Sequence, residues 1–214
     1  MVFDIAGWKC HFLESGAEPK CALVKPLGEF ERKNLLMECS LVAERAEAPF
    51  AIVAFEVTEE NLRQGGVEAT FDFVKNHLVD AIRARYGDLP LAVGGYSLGG
   101  LFALWSAMKC ADFCAVAACS PSLWVDGWDE WADANPPQVS HIYMSIGDKE
   151  EKTNKLPFSR VGDRIRRQHE RNLALVGEGN CCLTWHQGGH FADTELRKAQ
   201  GFAWCINAMC KAQK

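Results

Sequence analysis

No apolar run in the chain approaches the roughly 20 residues a membrane-spanning helix needs; stretches such as Phe113–Cys119 are far shorter. An excess of basic charge is also missing. The 214 residues carry a net charge of −5, which argues against a nucleic-acid-binding surface. Ten cysteines are present, yet none form a Cys-x-x-Cys pair or a finger spacing with histidine, so the common zinc and redox motifs are excluded. Neither a G-x-G-x-x-G turn, nor a P-loop, nor an internal repeat occurs. Met1-Val2-Phe3-Asp4 is not a basic start to a long apolar segment, so no signal peptide is read there.

What the chain does contain is ordinary globular composition, with 48% hydrophobic and 24% charged residues. Its length fits one domain spanning residues 1–214. The cysteines lie mostly in apolar surroundings, as in Phe113-Cys114-Ala115-Val116-Ala117-Ala118-Cys119 and Trp204-Cys205-Ile206. They read as reduced, buried thiols in a reducing compartment, with the cytoplasm the expected location.

Short apolar runs alternate with longer amphipathic ones, the pattern of βαβ units around a parallel sheet. Strands are expected at Cys21–Leu27, Ala51–Val57, Leu91–Tyr96, Phe113–Cys119 and His141–Ile146. A more polar one is expected at Cys181–His186, toward an edge, and an additional edge strand around Ile5–Leu13. Helices are expected over Val67–Tyr86, Leu98–Lys109, Ile165 to about Leu175, and Ala192–Lys211. Trp128–Pro137 reads as a loop or short excursion, and the segment after Cys119 is too short for a large cap domain. The basic residues Arg160, Arg164, Arg166, Arg167 and Arg171 read as a solvated helix face with Asp163 and Glu170 as companions.

Between the expected strand Leu91–Tyr96 and the expected helix Leu98–Lys109 lies Gly95-Tyr96-Ser97-Leu98-Gly99, a match to G-x-S-x-G. A serine on such a strand-to-helix turn is strained, with its hydroxyl raised above the sheet's carboxyl edge. The Leu98 N–H at the helix start can face a developing oxyanion. The alternative readings are a helix-capping serine or a phosphate-binding turn. Of six histidines, His190 in Gly188-Gly189-His190-Phe191 follows the last strand, where a base for Ser97 belongs. His186 is its rival; His11, His77, His141 and His169 read as structural or solvated. The turn after Ile146 offers three acids, Asp148, Glu150 and Glu151. Glu150, three residues past Gly147, is the expected orienting acid, and Asp148 is the alternative.

Gly94–Gly100, Ser120-Pro121-Ser122-Leu123-Trp124, Ser145–Glu151 and Gly189-His190-Phe191 together resemble the Putative esterase family of α/β-hydrolases. That group lies around esterase D, feruloyl and siderophore esterases and mycolyltransferases. The resemblance covers about residues 90–205. It implies a three-layer fold with a mostly parallel central sheet and helices on both faces. It also implies hydrolysis or transfer of a small-molecule carboxylic ester with neither metal nor organic cofactor. It supports Ser97, Glu150, His190 and the Leu98 amide, and sets Tyr96 and Trp124 at the substrate. Many relatives have a His-Gly turn after the third strand, and here the sequence is Lys25-Pro26-Leu27-Gly28. Pro26 has no N–H, so the second oxyanion donor is expected from Leu27 or Gly28. An acyltransferase using the same residues and a non-catalytic binding protein on the same fold are the rival readings.

Overall fold

The structure is a computed structural model that describes residues 1–63 and 65–211. In chain order it begins with strands β1 (Val2–Ile5), β2 (Trp8–Glu14) and β3 (Ala22–Gly28). Helices α1 (Glu29–Arg32) and α2 (Leu35–Ala43), strand β4 (Ala51–Val57) and helix α3 (Glu59–Leu62) follow. Helices α4 (Val67–Phe73) and α5 (Val79–Tyr86) are joined by a π-helical segment, Val74–Leu78. Strand β5 (Leu91–Tyr96), helix α6 (Leu98–Lys109), strand β6 (Ala115–Cys119) and helix α7 (Trp128–Ala134) come next. Strand β7 (His141–Gly147), helix α8 (Val161–Val176), strand β8 (Cys181–His186) and helix α9 (Thr194–Lys211) complete the described chain.

The strands form a single eight-stranded sheet in the order β1-β2-β4-β3-β5-β6-β7-β8. From β4 to β8 all neighbours run parallel, and β2 and β1 close the edge antiparallel. The apolar runs are continuous because both faces of these strands are covered. Val24, Val53 and Phe55 pack with Phe102, Leu78 and Ile165 on one face. Leu23, Ile52 and Tyr143 pack with Val42 of α2 and Phe202 and Ile206 of α9 on the other. Burying each of these large side chains contributes about 1.5–3 kcal/mol. The layering is that of an α/β-hydrolase, and among the described residues no cap domain stands over the sheet.

Two expectations are corrected here. The start of the chain holds two strands, not the one expected around Ile5–Leu13. Ala6 (φ 49°) and Gly7 (φ 83°) form the tight turn between them, since a two-residue hairpin with positive φ at both positions matches the strand twist. Trp128–Ala134 is a helix, not a loop. It starts from left-handed Gly127 (φ 74°), carries Asp129 and Glu130 in its first turn, and ends at Asn135, before Pro136.

The arginines of α8 are also not a simple solvated face. Arg164 donates to the carbonyls of Leu123 and Val125 at 2.9 and 2.6 Å. Arg167 and Arg171 reach Asp129 of α7 at 2.9 and 3.0 Å, and Arg171 also reaches Asp133 at 2.6 Å. Arg166 holds Glu151 at 2.8 Å as well as Asp163 at 3.2 Å. Most of this charge therefore ties α8 to the segment after β6. All ten cysteines are free thiols, six of them buried. Burial pushes the Cys10 and Cys119 thiols up to about 12, so they act as small apolar side chains.

Candidate active site

The strand order reverses beside β3, where β4 lies on one side and β5 on the other, the place where open α/β sheets form a crevice at their carboxyl ends. Ser97 stands there between β5 and α6 at φ 57° and ψ −118°, a conformation a non-glycine residue adopts only when its surroundings over-determine it. The constraint is visible. The Ser97 N–H donates to the Cys119 carbonyl at 3.0 Å, and its carbonyl accepts from Leu101 at 3.0 Å and Ser122 at 3.1 Å. A Cβ at Gly95 would lie 2.4 Å from the Gly99 backbone, so the turn closes only with glycine there. Leu98 is the first residue of α6, and its N–H has no intrahelical carbonyl to bond.

His190 sits on the loop between β8 and α9. Its Nε2 lies 2.9 Å from Ser97 Oγ and its Nδ1 lies 2.7 Å from Glu150 Oε2. Glu150 follows the end of β7 and is buried, with 4% side-chain exposure. Its second oxygen accepts from the Gly147 N–H at 2.7 Å, the Ser120 hydroxyl at 2.9 Å and Arg197 at 3.2 Å. Burial alone raises a carboxyl pKa. The His190 hydrogen bond and the Gly147 and Ser120 donors outweigh that and hold Glu150 below its ordinary value. Glu150 is therefore ionised at neutral pH and can only accept, so His190 Nδ1 carries a proton. In the neutral ring Nε2 is then an acceptor facing the Ser97 hydroxyl.

The other acids of this turn are used differently. Asp148 accepts from the Gly188 N–H at 2.8 Å, and Gly188, at φ 107°, needs its glycine. Asp148 thus fixes the loop that carries His190, while Glu151 pairs with Arg166 at the surface. The rival histidine, His186, has a buried Nε2 with no hydrogen-bond partner among the described residues, and burial lowers its pKa. Tyr96 donates its hydroxyl to the His190 carbonyl at 2.7 Å, so this group props the loop, while the residue also lines a depression beside Ser97 and His190. Trp124 lines the cleft over Ser97 and meets Phe158 edge-on at 5.0 Å. Leu27 and Gly28 end β3 and do not form a turn after it; Leu27 is fully buried and the Gly28 N–H donates to Glu31 at 3.2 Å.

Three residues of this constellation were given no role from the sequence, although Ser120 and Ser122 stand in the motif Ser120-Pro121-Ser122-Leu123-Trp124. Arg197, 1% exposed, bonds Glu150, the Tyr96 hydroxyl at 3.0 Å and the Gln187 carbonyl at 3.1 Å. Ser120 holds Glu150, and the Ser122 hydroxyl lies 3.2 Å from that of Ser97. Two serines immediately beyond a wholly apolar strand, at the sheet's carboxyl edge, were the available signal.

A family model described as "Putative esterase" matches residues 43–194. No curated protein matches the sequence significantly. Among solved structures, the siderophore hydrolase EstA from Aspergillus nidulans is similar in fold, with 14% identity and a TM-score of 0.73 over 98% of this chain and 94% of that one. An IroE-like serine hydrolase from Shewanella oneidensis matches at 13% identity and a TM-score of 0.72, over 92% of this chain and 75% of its own. A cold-adapted esterase from an Arctic intertidal metagenomic library matches at 14% and 0.64, over 98% and 91%. With the fold, the reversal point and the matched segment in agreement, the chain belongs to the Putative esterase family and is a carboxylic ester hydrolase of α/β-hydrolase fold.

Proposed function

We propose that the protein hydrolyses a small-molecule carboxylic ester through an acyl-enzyme, with Ser97 as nucleophile, His190 as base and Glu150 as the orienting acid. The observation that carries this is the unbroken chain from Ser97 Oγ through both His190 nitrogens to Glu150, at 2.9 and 2.7 Å. His190 takes the Ser97 proton as the oxygen attacks the ester carbonyl, and Glu150 stabilises the imidazolium. The oxyanion forms beside the Leu98 N–H. The second donor is drawn from the Leu27–Gly28 end of β3, where the Gly28 N–H holds Glu31 only loosely, at 3.2 Å. His190 then protonates the departing alcohol, and water repeats the sequence on the acyl-enzyme. The unbridged, mostly buried thiols fit a cytoplasmic location, and a chain of this length fits one domain.

A fluorophosphonate probe tests the reading. Wild-type protein is expected to turn over p-nitrophenyl acetate and to gain one phosphonyl group on Ser97, located by peptide mass. Ser97→Ala is expected to do neither. Wild-type protein that stays unlabelled would overturn the assignment.

Arg197 is a positioning residue in this scheme, since it fixes Glu150 and, through Tyr96, the His190 loop. Arg197→Met is expected to lower kcat/KM by roughly 10²-fold, the loss that accompanies a misplaced reacting group. Arg197→Lys keeps the charge without the forked geometry and should recover part of it. Both are measured with thermal midpoints alongside, and a loss that follows folded fraction alone would rule out positioning.

A further inference from the structure

Beside the cleft over Ser97 lies a second cavity of about 760 Å³, within the usual size range of ligand pockets. It begins at Leu98, runs along Leu101 and Trp105 of α6, and is bounded by Trp131 of α7 and Leu62 of α3. Trp124 stands at the border and lines both spaces. Three of these side chains, Trp105, Trp124 and Trp131, are only partly buried although large indoles gain most from leaving water. The Trp105 and Trp131 rings lie 6.3 Å apart at 30°, a near-parallel pair forming an aromatic wall.

The charge on this cavity is confined and partly spent. Arg63 bonds Glu59 at 3.1 Å, and Asp126 is the other charged lining residue. The wall is also held in place from behind. Arg164 grips the Leu123 and Val125 carbonyls on either side of Trp124, and Asp129, between the tryptophans of α7, is clamped by Arg167 and Arg171. The Trp124 and α7 side of the cavity is thus braced by α8.

Its direction from Ser97 determines which half of an ester it can take. The departing alcohol oxygen must receive its proton from His190 Nε2, so the alcohol lies on the His190 side. His190 and Phe191 line both the cleft over Ser97 and the depression above Gly28, and neither lines the tryptophan cavity. From a carbonyl bound at Ser97 and Leu98, the space leading away from His190 is left for the acyl chain.

We infer that the cavity between α6 and α7 is the acyl pocket, and that the preferred substrates are esters of bulky, multi-ring aromatic carboxylic acids that pack against Trp105 and Trp131. The assignment rests on the Ser97–His190 reading given above. An acetyl group would leave the cavity unfilled, whereas a fused ring on a short methylene arm would reach past Leu98 and cover the exposed indole faces.

The test compares p-nitrophenyl 2-naphthylacetate with p-nitrophenyl acetate, which share a leaving group and differ only in the acyl arm. Wild-type kcat/KM is expected to favour the naphthylacetyl ester at least tenfold. Leu101→Trp fills the cavity from α6 and is expected to cut that ratio at least tenfold. Leu62→Trp fills it from the opposite wall, does the same, and carries the test if the first variant fails to fold. A wild type that labels with fluorophosphonate and turns over acetate, yet shows a ratio at or below one, overturns the pocket assignment alone. So does a ratio unchanged in a folded variant. A wild type that does not label overturns the catalytic reading, and the pocket assignment falls with it.

Discussion

Glu38→Gln is expected to lower the thermal midpoint by on the order of 10 °C, through a loss of about 3–5 kcal/mol. Glu38 is 1% exposed in α2 and faces two equally buried lysines. Lys25 of β3 lies 2.8 Å away and Lys198 of α9 lies 2.5 Å away. Glu31 closes the group, 2.5 Å from Lys198 and 3.6 Å from Lys25, and the Phe202 ring lies 5.7 Å from the Lys25 ammonium. Two cations and two anions balance. Removing one anion leaves two desolvated ammonium groups sharing a single carboxylate, which is the expensive case for buried ion pairs. Lys25→Met combined with Glu38→Gln restores the balance, and the double variant is expected to be more stable than Glu38→Gln alone. Thermal and urea unfolding measure both.

The same group gives a sign for acid sensitivity. Burial pushes the Glu31 carboxyl up, but Lys25, Lys198 and the Gly28 N–H outweigh it and bring it from 4.5 down to about 2. A carboxyl depressed in the folded state stabilises fully above its unfolded value and loses that contribution as pH falls toward the folded one. The Glu31 contribution is therefore complete above about pH 4.5 and fades between there and about pH 2. Because Glu31 also holds the Gly28 N–H, the network reaches the end of β3 beside Ser97.

The sequence predicted the central strands well because a parallel strand buried on both faces leaves an unbroken apolar run. Ala51–Val57, Leu91–Tyr96 and the helix Leu98–Lys109 fall at the expected bounds. Helix α2 shows where periodicity fails. Leu36 and Met37 point outward at 75% and 50% exposure, while Glu38 is buried to meet two lysines distant in sequence. An apolar-in pattern places Leu35 and Val42 correctly and misplaces Leu36, Met37 and Glu38. Trp128–Ala134 failed for a related reason: its acids Asp129 and Asp133 answer arginines of α8, so the signal for a docked helix lies 38 residues away.

At the site, Ser97 and His190 stood out in the sequence because glycines flank Ser97 on both sides and Gly188 and Gly189 precede His190. The choice of Glu150 over Asp148 and Glu151 rested only on its place three residues past Gly147. Which carboxylate faces His190 depends on how the chain leaves β7, and the structure brings Glu150 there while Asp148 braces Gly188. Arg197 was illegible in Thr194-Glu195-Leu196-Arg197-Lys198, which reads as the solvated first turn of a helix. Its burial follows only from the carboxylate, phenol and carbonyl that converge on it.

His190→Ala is expected to reduce kcat toward p-nitrophenyl acetate by about 10⁶-fold, since a serine without its base is nearly inert. Glu150→Gln is expected to cost about 10⁴-fold, although it changes a single atom. Three donors, the Gly147 N–H, the Ser120 hydroxyl and Arg197, converge on Glu150 Oε1. In the variant only the amide oxygen can satisfy them, which turns the amide nitrogen toward His190 Nδ1. That nitrogen donates, so Nδ1 must accept, and the ring proton moves to Nε2. Nε2 then faces Ser97 as a donor and has no lone pair to take the serine proton. A rate loss below tenfold in folded Glu150→Gln would mean that another group sets the His190 tautomer.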